Sequence, residues 1–428
     1  MSDWIKYRTE DLIADGRLII GDGYRAKNSE LAQTGLPFAR VSNVNDGFHF
    51  EDADRFPEEN LNKVGDKVSY PGDVVFTSKG TVGRFAFVRP EIEQFVYSPQ
   101  LCYWRSLDTQ VIDPRFLFYW MHGREFWLQV HGVKGQTDMA DYVSLRDQRR
   151  MFITLPEIEE QKAIAGVLSA FDDKIELNRQ MNATLEEMAH ALFKSWFVDF
   201  DPVRRNQAGQ PGQHYDHLFP GRLVLRDGNG RDLPEGWQIG TVGEDFDITM
   251  GQSPPGETYN EEGNGLPFYQ GRRDFGFRYP SLRVYCSEPK RLAKAGDTLV
   301  SVRAPVGEIN MAIEDCCVGR GVGAIRHKSG SRSYTFYAMK SLEDYFNKFE
   351  AEGTVFGSLN KKDFHNMEFI IPPPVIVKEF EQLTFAIDQL IETNEQEMLI
   401  LVDLRDTLLS RLMSGQLRVP EQETKWTR

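Results

Sequence analysis

The sequence predicts a mixed α and β protein (α/β, mixed α+β) in which two similar globular domains alternate with two long helices. Two observations predict this fold class. Two stretches of roughly 40 residues carry the seven-residue apolar spacing of coiled coils. The chain around them repeats itself motif by motif. If the two helices pair antiparallel, they separate the two domains, and the internal repeat acquires a pseudo-twofold axis.

The first long helix is predicted over 156–200. After Pro156 it contains no proline, and Gly166 is its one glycine. Its apolar rows occupy the a and d positions of a heptad, which predicts a narrow stripe packed against a second helix. At 1.5 Å per residue such a helix is about 60 Å long, far beyond the usual helix of a globular domain. One row is Ile164, Phe171, Leu185 and Leu192, and the other is Leu168, Ile175, Ala189 and Trp196.

The second long helix is predicted over 372–416 and supplies that partner. A shift of 216 residues superposes it on the first, and Asn394 then falls on Asn178, each at an a position. These asparagines are either solvated or set the register of an antiparallel pair, and the sequence leaves both interpretations open. The apolar rows are Phe380, Ile387, Leu401 and Leu408, and Thr384, Ile391, Met398 and Leu412.

The segments before the two helices also match each other. PGDVVFTSKGTVG (71–83) corresponds to AGDTLVSVRAPVG (295–307), and Leu-Pro-Phe occurs at 36–38 and at 266–268. Trp4 corresponds to Trp237 near the start of each unit. The predicted organisation is a first globular domain over 1–155, the first helix over 156–200, an exposed linker over 201–236, a second globular domain over 237–371, the second helix over 372–416 and a C-terminal tail over 417–428.

Composition places the chain among soluble intracellular proteins. A length of 428 residues with 40% hydrophobic content predicts two or three domains with real cores. Four cysteines in no zinc-binding spacing indicate free thiols in a reducing compartment. The first residues are charged where a signal peptide needs an apolar run, and no stretch approaches 18 apolar residues. We therefore expect a cytoplasmic protein without a membrane span.

The net charge of −14 argues at face value against a nucleic-acid partner. The acidic residues are concentrated on the predicted helices, where 151–200 holds 4 basic and 9 acidic side chains. The segment 251–350 holds 14 basic and 12 acidic side chains. Total charge is therefore a weak guide to the partner.

Twin domains on a rigid spacer are suited to reading two separated half-sites in DNA. Because the two domains differ, the two half-sites would differ and the target would be asymmetric. The candidate contacts are loop side chains with donors for phosphates and base edges. They are Arg40, Ser42, Asn43, Asn45, Lys79 and Thr81 in the first domain, and Gln270, Arg272, Arg273, Arg303, Lys361 and Lys362 in the second.

Catalytic motifs are missing from the sequence. It contains no Asn-Pro-Pro-Tyr motif for methylation of a base amino group and no Walker A motif. Gly321-Val322-Gly323 lacks the third glycine of a dinucleotide loop, and His214 and His217 have no further ligand cluster. We predict no catalytic and no metal-binding residues. Gly72-Asp73 and Gly296-Asp297 are interpreted as turn residues.

The chain resembles the specificity subunits of type I restriction–modification systems over essentially its full length. The most specific segments are LPEIEEQKAIAGVLSAFDDKIELN (155–178), LFKSWFVDFDPV (192–203), LPEGW (233–237) and IPPPVIVKEFEQL (371–383). GDVVFTSKGTVG (72–83) is similar to the family's pattern as well. One departure affects the candidate contacts: Ala304-Pro305 stands where the first domain has Gly80-Thr81.

The resemblance implies two target recognition domains, each reading one half of a split double-stranded DNA sequence. It also implies two modification subunits docked on the helices, with adenine methyltransferase chemistry and S-adenosylmethionine. Restriction subunits with ATP- and Mg-dependent activity would join them, and this chain would bind no cofactor itself. The alternative is a coiled-coil scaffold whose end domains bind protein rather than DNA.

Overall fold

The computed structural model describes residues 4–45, 47–80, 82–133, 142–226, 231–351 and 357–419. The chain forms two compact units. One contains the residues up to Glu176 and from Met398 onward, and the other contains Leu177–Glu397. Both divisions fall inside a long helix, so each helix contributes to both units. No helix in the described ranges is long and apolar enough to cross a membrane.

The first unit contains nine strands in its described residues. The strands are β1 (Ile5–Arg8), β2 (Leu18–Asp22), β3 (Leu36–Ala39), β4 (Arg55–Phe56), β5 (Val74–Thr77), β6 (Phe85–Phe87), β7 (Val96–Tyr97), β8 (Leu101–Ser106) and β9 (Phe152–Leu155). The helices are α1 (Thr9–Ala14), α2 (Pro114–His122), α3 (Arg124–Val133), α4 (Leu145–Gln148) and the first part of α5 (Ile158–Phe197).

The second unit continues the numbering. Its strands are β10 (Leu223–Arg226), β11 (Arg231–Pro234), β12 (Gln238–Thr241), β13 (Phe246–Met250), β14 (Tyr259–Asn260), β15 (Leu266–Tyr269), β16 (Tyr285–Cys286), β17 (Leu292–Ala293), β18 (Thr298–Ser301), β19 (Ile309–Met311), β20 (Cys316–Val318), β21 (Val322–His327) and β22 (Glu368–Ile371). Its helices are α6 (Asp201–Gln207), α7 (Val242–Asp245), α8 (Arg332–Lys340), α9 (Glu343–Ala351), α10 (Lys361–His365) and most of α11 (Pro374–Met413).

The strand topology confirms the predicted internal repeat. A four-stranded sheet has the order β2-β8-β5-β6 in the first unit and β13-β21-β18-β19 in the second. A parallel pair joins β3 to β7 and, equivalently, β15 to β20. The first strand of each unit pairs antiparallel with the strand before the long helix, as β1–β9 and β12–β22. Two copies of one mixed α and β plan therefore make up the chain.

The repeated Val-Gly of the sequence has a packing cause. Gly83 and Gly307 have φ angles of +105° and +96°. A Cβ added to Gly83 would lie 2.3 Å from the Trp127 ring, and one added to Gly307 would lie 2.5 Å from Cβ of Phe346. Each connection between the paired strands thus passes directly against an aromatic side chain, where only glycine fits.

The segment 113–133 forms two helices, because Gly123 ends the first of them. Asp113 caps α2 by accepting a hydrogen bond from the Phe116 amide at 2.8 Å, and Pro114 occupies the first turn. Phe116 and Trp120 of α2 pack with Trp104 of β8 in the core of the first unit. Ile164 and Leu168 of α5 and Leu412 of α11 belong to the same core, which fixes the helices on this domain.

The long helices run antiparallel, as predicted. In the first unit Arg405 of α11 donates to Asp172 of α5 at 2.7 Å. In the second unit Asn178 Nδ2 donates to Glu397 Oε2 at 2.7 Å, and Asn394 Nδ2 donates to Asn182 Oδ1 at 2.8 Å. The contact partners on α11 thus decrease from 397 to 394 as the residue number on α5 rises from 178 to 182, which makes the helices antiparallel.

The apolar rows lie on the packed face of the helices. Leu192 and Ile387 pack against the core of the second unit and Leu408 against that of the first, whereas Phe171, Leu185 and Leu401 are half-buried. Asn178 and Asn394 are buried, so the interpretation of these asparagines as solvated is wrong. Asn394 bonds to Asn182, which occupies the remaining place in the heptad row of Leu168, Ile175, Ala189 and Trp196.

The prediction of an exposed linker over 201–236 is wrong. This segment contains α6 and the β10–β11 hairpin. Val203, Phe219 and Leu233 are buried in the same core as Trp196 and Trp237. Asp216, also buried, binds Arg205 through two hydrogen bonds of 2.6 and 2.9 Å. The segment folds because its scattered apolar residues cover the aromatic end of α5.

Candidate nucleic-acid interface

The candidate contacts lie on equivalent loops of the two units, except Lys361 and Lys362, which begin helix α10 and do not lie on a loop as expected. A single turn of 3-10 helix, Val41–Asn43, follows β3, and another, Arg272–Asp274, follows β15. The parallel pairing places Phe38 opposite Val96 and Phe268 opposite Cys317, which aligns the two loops with a shift of 230 residues. We call residues 40–45 and 270–275 the reading loops. Ser42 and Asn43 then correspond to Arg272 and Arg273.

The first reading loop is held by its own side chains. The Asn43 side chain accepts from the Arg40 amide at 2.8 Å and donates to the His49 carbonyl at 2.9 Å. Asn43 is therefore engaged in shaping the loop. Arg40 forms an exposed ion pair of 2.7 Å with Asp54. Ser42 and Asn45 are exposed.

A second connection, between β5 and β6, lies beside this loop. Arg84 Nη1 donates to the carbonyls of Val41 and Val44 at 3.4 Å, which brings the two segments together. Lys79 is exposed and forms an isolated antiparallel bridge with Tyr142, with its ammonium 5.9 Å from the ring centroid. Thr81 lies outside the described residues.

The second unit brings its candidates together in the same way. Arg272 pairs with Glu308, at the end of the β18–β19 connection, at 2.9 Å. Gln270 Nε2 donates to Ser253 Oγ at 2.9 Å, and both Gln270 and Arg273 are exposed. The reading loop and the β18–β19 connection are thus neighbours, as in the first unit.

The remaining cations of the second unit adjoin this connection. Arg303 forms an isolated antiparallel bridge with Ser358, just as Lys79 does with Tyr142. The Ala304 amide donates to the Gly357 carbonyl at 3.1 Å, and the Leu359 amide donates to the Val302 carbonyl at 2.9 Å. This pairing leads directly into α10, where Lys361 and Lys362 are exposed.

The basic candidates differ in whether an acidic side chain neutralises them. Arg40 and Arg272 are each paired with a carboxylate, so a phosphate has to compete with Asp54 or Glu308. The other cations have no acidic partner within the described ranges. They are Lys79, Arg273, Arg303, Lys361 and Lys362, and they supply the charge available to an anionic ligand.

The repeated Gly-Asp turns confirm the interpretation as turn residues and add an ion pair. Asp73 accepts from the Tyr70 amide at 2.9 Å and from Arg105 Nε at 2.6 Å. The equivalent Asp297 accepts from the Lys294 amide at 2.7 Å and from Arg326 Nε at 2.5 Å. Burial raises the pKa of the Asp297 carboxyl, although these donors oppose the shift. These pairs hold the sheets rather than facing a ligand.

Two further basic residues belong to these surfaces. Arg84 corresponds to Glu308 in the repeat. The residue after the aligned Val-Gly is charged in both units, so the sequence alignment could have identified Arg84. Arg320 is exposed and donates through its amide and its Nε to Ser253 Oγ at 3.3 Å, beside Gln270. No motif marks Arg320, because β20, β21 and the reading loop meet only in the folded sheet.

The described residues hold no group of three or more His, Cys, Asp or Glu side chains placed to bind a metal ion. The four cysteines are buried free thiols.

A comparison with known families decides what these twin units are. The model of the type I restriction modification DNA specificity domain matches residues 1–187 and 234–398, one match for each repeat. The chain belongs to the type I restriction–modification specificity subunits. The resemblance seen in the sequence motifs is confirmed.

Individual relatives agree with this assignment. The putative type I restriction enzyme MjaX specificity subunit of Methanocaldococcus jannaschii is 27% identical over 436 residues, covering 97% of this chain and 94% of that protein. The type I restriction enzyme HindI specificity subunit of Haemophilus influenzae is 25% identical, covering 81% and 86%. The crystal structure of a type I restriction-modification system S subunit from M. genitalium has the same fold, with a TM-score of 0.57 at 16% identity over 96% of each chain.

Proposed function

We propose that this specificity subunit recognises a bipartite, asymmetric sequence in double-stranded DNA, with one repeat reading each half-site. The observation that carries the proposal is the pair of reading loops at equivalent positions of two equivalent folds. Their side chains differ: Ser42 and Asn43 in the first loop correspond to Arg272 and Arg273 in the second. Arginine suits guanine edges, whereas Ser42 offers a short hydroxyl and the Asn43 side chain is bonded within its own loop. Different half-sites follow from this difference.

Affinity would come from the exposed cations around the loops. Lys79 and Arg303 occupy the same place in the repeat, beside each reading loop, and neither has an acidic partner among the described residues. Such residues bind phosphates and fix the register of a domain on the duplex, while the reading loops supply base contacts. Membership of the specificity-subunit family disfavours the alternative of a scaffold that binds only protein.

The long helices would carry the partner subunits. Leu399 and Ile400 of α11 are 73% and 61% exposed, which is unusual for neighbouring large apolar side chains on an acidic helix. We propose that two modification (methyltransferase) subunits dock on the helices and that restriction subunits join them. S-adenosylmethionine, ATP and Mg²⁺ would be bound by those subunits, and this chain would catalyse nothing itself. The complex would act in the cytoplasm.

DNA binding by the chain with and without modification subunits tests this proposal. Because an acidic chain with few free cations neutralises few phosphates, binding by the chain alone should be weak, and the added subunits should sharpen target preference by orders of magnitude. Replacing Leu399 and Ile400 together with glutamate should abolish the sharpening. Leu128→Glu is the matched control, since Leu128 is also exposed, at 58%, but lies on α3.

Two results would contradict the proposal. Equal affinity and selectivity with and without modification subunits would exclude the assembly. A complex with no preference among DNA sequences would exclude the recognition function.

A further inference from the structure

Arg278 is a fully buried cation of the second unit. Its side chain is inaccessible to solvent, although it lies in the basic segment 272–291, which begins in the second reading loop. A guanidinium stays charged in proteins, so it has to be paired where it lies. Its partners therefore show what the segment is attached to.

The guanidinium reaches both long helices. Nη1 donates to Asp388 of α11 at 2.9 Å, and Nη2 and Nε donate to Glu186 of α5 at 3.1 and 3.2 Å. Nη2 also donates to the Tyr337 hydroxyl at 2.9 Å, and the plane lies 4.0 Å from the centre of the Phe336 ring. One side chain thus joins α5, α8 and α11.

The backbone on either side of Arg278 is held by hydrogen bonds to β19 and by one to the reading loop. Its carbonyl accepts from the Met311 amide of β19 at 2.9 Å. Between Arg278 and the loop, Gly276 exchanges two hydrogen bonds with the Asn310 side chain, at 3.3 and 2.9 Å. Asp274, inside the loop, accepts from the Ser281 amide through its carbonyl at 2.7 Å. These hydrogen bonds fix the backbone between Arg273 and the buried Arg278.

The first unit has the same acid and phenol but a different cation. Asp172 and Tyr119 correspond to Asp388 and Tyr337 in the repeat, and the Tyr119 hydroxyl donates to Asp172 at 2.5 Å. The guanidinium there is Arg405, which comes from α11 itself and donates to Asp172 at 2.7 Å. No arginine or lysine occurs between Arg40 and Arg55, after the first reading loop. Within the described residues, Asp172 is thus paired with a cation of α11, and no cation of the segment after the first reading loop takes the place of Arg278.

We propose that Arg278 is a positioning residue that fixes the second reading loop to the long helices and thereby sets the accuracy with which the second half-site is read. The inference rests on the proposed DNA recognition. The first half-site does not depend on an equivalent residue. The two half-sites should accordingly respond differently when each buried cluster is neutralised.

The test compares two neutral clusters in complexes with modification subunits. The triple variant Arg278→Met, Glu186→Gln, Asp388→Asn removes the link without leaving a buried unpaired charge. The matched control Asp172→Asn, Arg405→Met neutralises the corresponding cluster of the first unit. Binding is measured by competition against DNAs altered in one half-site or with the gap changed by one base pair. The second half-site is assigned independently, as the one weakened by Arg273→Ala.

The triple variant should lose at least tenfold in discrimination at the second half-site and should accept the altered gap. Discrimination at the first half-site should stay unchanged, and the control should change neither. A folded triple variant that keeps full discrimination at both half-sites, or loses it equally at both, overturns the proposal. If the triple variant does not fold, Arg278→Lys, which keeps the charge but not the fork geometry, decides by the same measures. A wild-type complex without sequence preference would instead overturn the proposed function, and this inference with it.

Discussion

The salt dependence of DNA binding should report the four candidate cations outside the reading loops that have no acidic partner among the described residues. Each phosphate contact by a lysine or arginine contributes about −0.9 to the slope of log K against log salt on duplex DNA. If Lys79, Arg303, Lys361 and Lys362 all contact phosphates, this chain contributes a slope of about −3.6. Arg303→Gln or Lys79→Gln should each remove about 0.9 of it. The DNA affinity of either variant should then fall about threefold less than that of the wild type when salt rises from 50 to 200 mM.

Arg40 and Arg272 should behave differently from the free cations. Their exposed ion pairs with Asp54 and Glu308 have to open before a phosphate binds, so Arg272→Gln should change the slope by less than Arg303→Gln. Fluorescence anisotropy on a nonspecific duplex, with the assembled complex and a salt series, gives these slopes. Arg222→Gln is the control, because Arg222 is exposed but pairs with Glu235 in the β10–β11 hairpin. An unchanged slope for both Lys79→Gln and Arg303→Gln, or an equal change for Arg222→Gln, would refute the assignment of these cations to phosphates.

Two predictions concern stability. Hydrogen bonds from Arg205 lower the pKa of the buried Asp216 carboxyl from 3.8 to about 2, so its stabilisation is complete above about pH 4 and is lost as the pH falls towards 2. Asp216→Asn should therefore lower the free energy of unfolding by about 2 kcal/mol at pH 7 and by clearly less at pH 3, and equal urea midpoint shifts at both pH values would contradict this. Asn394→Ala should lower the free energy of unfolding by about 1–3 kcal/mol, because it leaves the buried Asn182 amide oxygen unpaired. Replacing both Asn182 and Asn394 with leucine should recover most of that loss. Urea unfolding of the single and double variants measures both effects, and an unaffected Asn394→Ala variant would show that the pair is not structural.

The long helices and the repeat were predictable because both depend on local and periodic signals. Heptad spacing bounded by prolines predicts helices over 156–200 and 372–416, and the structure has them at Ile158–Phe197 and Pro374–Met413. Aligned motifs predict equivalent strands, and the sheets have equivalent orders. The segment 201–236 was mispredicted because its glycines and prolines are typical of loops, whereas the burial of Phe219 and Leu233 depends on contacts with α5 and Trp237.

The candidate interface was predictable only in outline. Polar loop residues with suitable donors identify the reading loops, but the ion pairs of Arg40 and Arg272 involve residues 14 and 36 positions further along the chain. The basic segment 272–291 makes Arg273 and Arg278 look alike, since charge patterns carry no information on burial. The fold separates them: Arg273 is exposed, and Arg278 is buried between the long helices.

The central claim is that each repeat reads its own half of the DNA target, and the methylated motif produced by the assembled complex tests it most directly. DNA from cells that express this chain with modification subunits is sequenced for methylated positions, for the wild type, Lys79→Ala and Arg273→Ala. The wild type should give one motif of two specified segments separated by an unspecified gap. Arg273→Ala should relax one segment, and Lys79→Ala should weaken methylation without relaxing that segment. A continuous motif, or relaxation of both segments by Arg273→Ala alone, would contradict the account.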